Sequence, residues 1–262
     1  VRLVHNNWVD RMSNVGLRDG VMISHFEMVS DWQWAQRRGG ISASAAREYL
    51  TTWIPMLYPA TPHLAEEMWE MLGMDTMLAL SNLELHDTSG VDIQDTIVLG
   101  REEYLRRVID RARSVRELAE RHTDGDLSAI IIQTAQEWKV ELASKAIQMH
   151  NDAFDFKQGG NKFLQTQECF QDEDMKGDVM QYWRSIVVGQ KKRRGRIHTW
   201  GEQESALVSS EFDEVGFILE NVQFIATVLD IESVEVYRAG EGEDVAGKAR
   251  TSLPLEPGIA WR

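Results

Sequence analysis

From Val1 to about Gly125 the apolar residues recur roughly every three to four positions, a spacing that predicts helices. Val1 to Met12 reads as a short helix. From Arg18 to Arg37, Val21, Met22, Phe26, Val29 and Trp32 fall close to a helical period, and Arg38-Gly39-Gly40-Ile41-Ser42 breaks it. Ser42 or Ser44 can cap the next helix, which runs through Tyr49, Leu50, Trp53, Ile54 and Leu57 until Pro59. Thr61 is then a good N-cap, Pro62 suits the first helical position, and Glu66 and Glu67 lie near the positive end of the helix dipole. Leu64, Met68, Met71 and Leu72 are expected on one buried face, with Gly73 closing the helix. After a turn-rich stretch from Ser81 to Asp95, Arg101 to Arg121 predicts a long amphipathic helix with Leu105, Val108, Ala112, Val115 and Ala119 on one side. Helices with short breaks predict a bundle over residues 1–124.

At Thr123-Asp124-Gly125-Asp126 the pattern changes. Leu127 to Ile132 is a short β-branched run of the kind that forms a buried strand. Thr134 can cap a helix carrying Trp138, Leu142, Ala146 and Met149. Further helices are expected at about 174–188 and 210–229, Ser233 to Arg238 alternates like a half-exposed strand, and Lys248 to Leu253 is read as another strand. Gly159-Gly160 and Gly240-Glu241-Gly242 are read as turns. The expected fold is mainly α: an N-terminal helical bundle, then over residues 125–262 a small α+β domain with a short sheet covered by helices.

Composition narrows the setting. The 262 residues are 43% hydrophobic and 27% charged, ordinary for a globular chain. No apolar run approaches the roughly 18 residues needed to cross a membrane. A secretory signal is absent and the chain starts at Val1 rather than Met, so a processed chain or an excised fragment in a cytoplasmic setting is expected. The single cysteine, Cys169, excludes an internal disulfide, and its acidic neighbours mark it as structural. A net charge of −14 argues against indiscriminate binding to DNA or other polyanions.

The charge is unevenly spread. Arg184 to Arg196 holds six basic residues and no acid, concentrated in Lys191, Lys192, Arg193, Arg194 and Arg196. Several charges on one short segment can displace condensed counterions together, as phosphate binding requires, although such a run also serves as a solvated turn. His198 and Trp200 follow at once and can stack on an unpaired base. Tyr182 and Trp183 belong to the core of the preceding helix. The segment Arg101 to Arg121 carries seven arginines against five acids. Its Arg106, Arg107, Arg113 and Arg116 either face RNA or share a solvent-facing helix with ion pairs such as Glu103–Arg107 and Glu117–Arg121. Trp261 and Arg262 offer a stacking face and a charge at the end of the chain. His63 with Glu66 lacks the second such pair that a metal site in a bundle needs, and His5, His25, His86, His122 and His150 stand singly. No catalytic pair and no metal site is therefore expected.

Tyr58-Pro59-Ala60-Thr61-Pro62-His63-Leu64-Ala65-Glu66-Glu67-Met68-Trp69 resembles the "Pro-His-Leu/Ile-Ala-Glu-Glu-Leu-Trp" segment in the bundle domain of class I aminoacyl-tRNA synthetases of the leucyl/isoleucyl/valyl group. Asp31-Trp32-Gln33-Trp34 up to Gly39-Gly40 is similar to the "Asp-Leu-Arg-Trp-Tyr" helix of the same domain. Ile130 to Lys139, ending Gln136-Glu137-Trp138-Lys139, resembles the "Ala-Pro-Glu-Trp-Lys" segment of archaeal and eukaryotic-type leucyl-tRNA synthetases. Ala246-Gly247-Lys248-Ala249-Arg250 with Leu253-Pro254-Leu255-Glu256-Pro257-Gly258-Ile259 resembles their "Pro-x-x-Lys-Ala…Pro-x-x-Pro-x-Ile" ending. Gln136 stands where that family has proline, and Asn82-Leu83-Glu84 replaces a common "Trp-Pro". Nothing resembles the family's "His-Ile-Gly-His" or "Lys-Met-Ser-Lys-Ser" nucleotide-binding signatures or its threonine-rich editing segment.

The resemblance implies the C-terminal part of an archaeal-type enzyme that joins leucine to tRNA(Leu) using ATP. ATP and Mg would belong to the catalytic domain outside this chain, with no cofactor in the chain itself. It further implies that tRNA(Leu), with its long variable arm, and the enzyme's own catalytic and editing domains are the partners, through Lys191, Lys192, Arg193, Arg194, Arg196, Trp200, Arg106, Arg113 and Arg262; neither a membrane nor DNA is expected. The equivalent part of an isoleucyl or valyl enzyme, and a protein-interaction adaptor working through its acidic surface, are the alternatives.

Overall fold

The structure is a computed structural model that describes residues 1–80, 92–122, 127–187, 195–210, 212–241, 244 and 247–262. The chain divides into two compact units, Val1–Val91 and Asp92–Arg262.

The first unit is helical. Helix α1 (Arg2–Ser13) is followed by α2 (Leu17–Met22), a π-helical turn at Ile23–Glu27, α3 (Met28–Arg38), α4 (Ala43–Leu57) and α5 (Pro62–Met71). The π turn interrupts what the periodicity alone reads as one helix. A tertiary bond and a local one meet there: the Trp53 indole donates to the Ser24 carbonyl at 2.6 Å, and the Ser24 hydroxyl donates to the Gly20 carbonyl one turn back at 3.0 Å. Ser42 caps α4 by accepting from the Ala45 amide at 3.2 Å. Trp8, Ile23, Met28, Tyr49 and Met56 form one buried cluster, and Ile54, Leu57, Ala65, Trp69 and Leu78 form a second.

Helix α5 turns inward a face rotated from the one expected: Met68 and Leu72 pack half-buried against the second cluster, as expected, but they flank a different centre. Ala65 and Trp69 are buried, whereas Leu64 and Met71 are 49% and 81% exposed. The orientation is set by anchoring beyond the helix. The Trp69 indole donates to the Thr76 carbonyl at 3.0 Å, and the Glu66 carboxylate accepts from the Leu78 and Ala79 amides at 2.8 and 2.9 Å. Glu66 therefore serves a tertiary cap for the 3₁₀ turn Leu78–Leu80, a stronger interaction than a helix-dipole contact. Thr61 does not cap with its side chain; its hydroxyl donates back to the Leu57 carbonyl at 3.1 Å.

The second unit is built on a three-stranded sheet in the order β2–β1–β3, with β1 (Ala129–Thr134) central, β2 (Ser233–Arg238) parallel to it and β3 (Gly258–Trp261) antiparallel. Ile130, Ile131 and Ile132 are buried on both faces, as a covered central strand requires. The long helix α6 (Ile93–Glu120) starts with a capping box. The Asp92 carboxylate accepts from Gln94 and Asp95 amides, and the Asp95 carboxylate accepts from the Asp92 amide. Leu105, Val108 and Ala112 are buried as expected. By packing, α6 belongs to this unit although the sequence pattern groups it with the helices before residue 124. Tyr104 bonds Glu214 at 2.8 Å, and the Ala112 carbonyl accepts from the Trp261 indole at 2.9 Å.

The covering helices are α7 (Glu137–Asn151), α8 (Phe156–Gln165), α9 (Lys176–Val187), α10 (Glu202–Ser209), α11 (Glu214–Glu220), α12 (Val222–Leu229) and the short α13 (Lys248–Thr251). Several depart from expectation. Gln136, not Thr134, occupies the N-cap position of α7. Gly159 and Gly160 lie inside α8 instead of in a turn. A Cβ on Gly159 would sit 2.3 Å from the Phe154 ring, so that glycine serves close packing against the ring, whereas one on Gly160 would meet the Trp183 indole at 3.4 Å, an ordinary contact. The expected helix over 210–229 is two, parted at Asn221, whose side-chain amide donates to the Phe217 carbonyl at 2.7 Å. Lys248 to Leu253 is mostly a helical turn closed by the Ser252 hydroxyl on the Lys248 carbonyl at 2.8 Å, and the third strand comes later.

Candidate nucleic-acid interface

Lys191, Lys192, Arg193 and Arg194 lie outside the described residues. The remaining candidates all fall in the second unit, in two places. The first is the 3₁₀ turn Arg196–His198 and the start of α10. Arg196 is engaged: its guanidinium donates to both carboxylate oxygens of Glu256, with Nη2 to Oε2 at 3.0 Å. This bidentate pair fastens the turn to the C-terminal segment. His198 is exposed and Trp200 half-buried, and both line a cleft of about 610 Å³ together with His150 from the end of α7. The rings of His150 and His198 meet edge-to-face at 4.8 Å. His150 stands alone in the sequence; only the packing of α7 beside the turn brings it to the candidate stacking residues.

The second place is the seam between α6 and β3. Arg116 lies over the Trp261 ring at 5.1 Å and donates to the Leu229 carbonyl at 3.0 Å, while the Trp261 indole is spent on Ala112. One face of Trp261 is thus covered by a cation. Arg113 is exposed beside this seam and 3.3 Å from Asp110, one helical turn back. Arg262 is exposed, 3.8 Å from Glu235, and its backbone pairs with Ala129. Arg106 is half-buried in α6. Arg107 reaches Glu204 of α10 instead of Glu103, and Arg116 also pairs with Glu120. The arginines of α6 are therefore divided between tertiary ties and an exposed set that includes Arg101, Arg111 and Arg113.

Two buried charges hold the C-terminal segment on which both places depend. Lys139, 5% exposed, donates its ammonium to the Arg250 and Ser252 carbonyls at 3.0 and 2.9 Å. Burial pulls its pKa below the ordinary lysine value. Glu214, 6% exposed, accepts from the Tyr104 hydroxyl at 2.8 Å and the Leu255 amide at 3.1 Å, and burial pushes its carboxyl up to about 7. Neither residue stands out by composition, but Lys139 closes the Glu137-Trp138-Lys139 stretch and binds the Lys248–Ser252 stretch. Two sequence segments far apart in the chain are thus one structural clamp. Cys169 is partly exposed, and its thiol is pushed up mainly by burial, away from the reactive thiolate form.

Comparison with known proteins shows what this chain is similar to. Residues 24–131 match the model of the anticodon-binding domain of tRNA ligase. That range takes in all of α6, so the family domain and the compact units have different boundaries. The leucine–tRNA ligase of Methanococcoides burtonii is 27% identical over 98% of this chain and 25% of its own length. That of Methanocaldococcus jannaschii is 27% identical over 95% of the chain and 23% of its own length. The Archaeoglobus fulgidus enzyme is 30% identical over 51% of the chain and 13% of its own length. The chain thus spans about a quarter of the length of the two relatives that it matches almost throughout. Over nearly its whole length the chain is similar to archaeal leucine–tRNA ligases, and its residues 24–131 match the anticodon-binding domain of tRNA ligases.

Proposed function

We propose that this chain is the tRNA-holding C-terminal part of a cytoplasmic leucyl-tRNA synthetase, which joins leucine to tRNA(Leu) with ATP and Mg bound in a catalytic domain outside it. The single observation that carries this reading is the anticodon-binding domain at 24–131 set within an almost full-length match to leucine–tRNA ligases. The helical part lies along the tRNA body, and the α+β part meets the long variable arm. Its contribution to the reaction is orientation: holding the tRNA removes rotational and translational freedom before chemistry takes place elsewhere in the enzyme. Lys191, Lys192, Arg193 and Arg194 supply phosphate contacts, joined by the exposed Arg113 and Arg262 and by Arg106 at the α6 surface. Arg196 contributes by fixing the turn Arg196–His198, which follows the basic run in sequence, to Glu256. The catalytic and editing domains are the remaining partners.

Replacing Lys191, Lys192, Arg193 and Arg194 together with glutamine is expected to weaken tRNA binding and to flatten the slope of log affinity against log salt by roughly 3 to 4. Filter binding across a salt series measures both, and an unchanged slope removes the loop from the interface. Competition between tRNAs with long and short variable arms separates the leucyl reading from an isoleucyl or valyl one. Absence of binding to any tRNA at low salt overturns the reading as a whole.

A further inference from the structure

We propose that the cleft between the end of α7, the turn Arg196–His198 and the start of α10 is a pocket for one unpaired RNA base, an inference that rests on the tRNA-binding reading above. Its volume of about 610 Å³ lies within the range of roughly 300–1,000 Å³ typical of small-ligand clefts. Ile197, buried at 5% exposure, gives it an apolar floor. The exposed rings of His150 and His198 also line it, 4.8 Å apart and edge-to-face, so the edge of one ring supports the face of the other.

Trp200 completes the aromatic wall, and its indole differs from the other tryptophans of this unit. Trp138 packs on Tyr182 and bonds Gln136, Trp183 is buried against Phe156 and Phe163, and Trp261 is spent on Ala112 and Arg116. Among the described residues of the unit, Trp200 is the tryptophan whose ring has neither a ring partner nor a hydrogen-bond partner, although it is half-buried at the cleft. Aromatic surfaces at a cleft suit a planar ligand. The polar lining selects which planar ligand. Ser205 offers a hydroxyl, and Glu202 at the N-terminus of α10 offers carboxylate oxygens, which accept from the amino and imino groups of a base edge and repel a phosphate. A base therefore enters the cleft while its phosphates remain outside, and the basic run Lys191–Arg194 stands immediately before this turn in the sequence. Unpaired bases of a tRNA arm are available for this, whereas paired ones are not.

The test uses the full 262-residue chain, a single-stranded RNA hexamer carrying one 2-aminopurine, the same hexamer in a blunt duplex, and a tRNA with a long variable arm. The wild-type chain should quench 2-aminopurine in the single strand, the signature of stacking. The double variant His150→Ala/His198→Ala should bind the single strand about tenfold more weakly, in line with the loss of one stacked base, with duplex affinity and salt slope unchanged. His198→Phe, which keeps a flat ring, should retain the affinity that His198→Ala loses. Equal affinity of the double variant and the wild type for the single strand, or an equal loss on the duplex, overturns the pocket while leaving tRNA binding in place. Failure of the wild-type chain to bind the tRNA overturns the tRNA reading and the pocket with it.

Discussion

Lys139→Met is expected to destabilise the Asp92–Arg262 unit by about 3 kcal/mol, because it strips a charged donor from the buried Ser252 carbonyl and the part-buried Arg250 carbonyl. Methionine keeps the length and most of the volume of the side chain, so the loss isolates the ammonium rather than a cavity. The Arg250 and Ser252 carbonyls each lose a bond, and Ser252 is fully buried, so no solvent replaces it. The consequence extends beyond the immediate contact. Ser252 leads through the Leu253–Glu256 turn into β3, which pairs with the central strand through Ile130↔Trp261 and Ile132↔Ile259. Loosening the clamp frees β3, and with it the Trp261–Ala112 bond and the Glu256 carboxylate that grips Arg196. Urea unfolding measures the stability loss, and hydrogen exchange at the amides of 258–262 reports the freed strand. A loss below about 1 kcal/mol with those amides still protected would show that the ammonium's desolvation cancels its bonds.

Local signals carried most of the fold. β1 was legible because Ile130, Ile131 and Ile132 are β-branched and central, and β2 because Val234, Val236 and Tyr237 favour a strand, although Val234 to Arg238 are uniformly half-buried and do not alternate. The α3–α4 break, the Ser42 cap and the buried side of α6 were equally local. What escaped was set by contacts distant in sequence. Gly159 and Gly160 imitate a turn, yet both lie in a helix, where the Phe154 ring is what requires Gly159. Gly258-Ile259-Ala260-Trp261 is a weak strand by composition and becomes one by pairing with Ile130 to Gln133, well over a hundred residues earlier.

The interface follows the same division. His198 and Trp200 were visible because they sit beside a basic run, but His150 joins them only through packing. Arg196 counts as one more positive charge in the sequence, whereas in the fold its fork is filled by Glu256. Trp261 was expected to offer a stacking face, and the structure uses it to join β3 to α6. A charge or ring count therefore overstates the surface open to RNA, and burial with hydrogen-bond partners is what sorts the candidates.

Glu214 should make the same unit more stable in mild acid than at alkaline pH, the reverse of a salt-bridged carboxylate. In the unfolded chain its carboxyl titrates near 4.5, while burial in the fold pushes it up to about 7. Between these values the folded state holds a proton that the unfolded chain has released, so stability falls as pH rises through the window. The Tyr104 hydroxyl and Leu255 amide favour the ionised form and offset part of the burial, without restoring the ordinary value. Glu214→Gln removes the titration. The stability of the wild type relative to this variant is therefore expected to be about 2 to 3 kcal/mol greater at pH 5 than at pH 8, by urea unfolding at each pH. Taking the difference cancels the repulsion among the many surface carboxylates, which also changes with pH. A difference that stays flat would mean that Glu214 is ionised throughout, its charge carried by Tyr104 and Leu255. Because Leu255 lies between the Lys139 clamp and β3, the loss at high pH should appear first as faster exchange of the Gly258–Trp261 amides in the wild type than in the glutamine variant at the same pH. Global unfolding alone would show no such order, and that contrast ties the titration to the C-terminal segment.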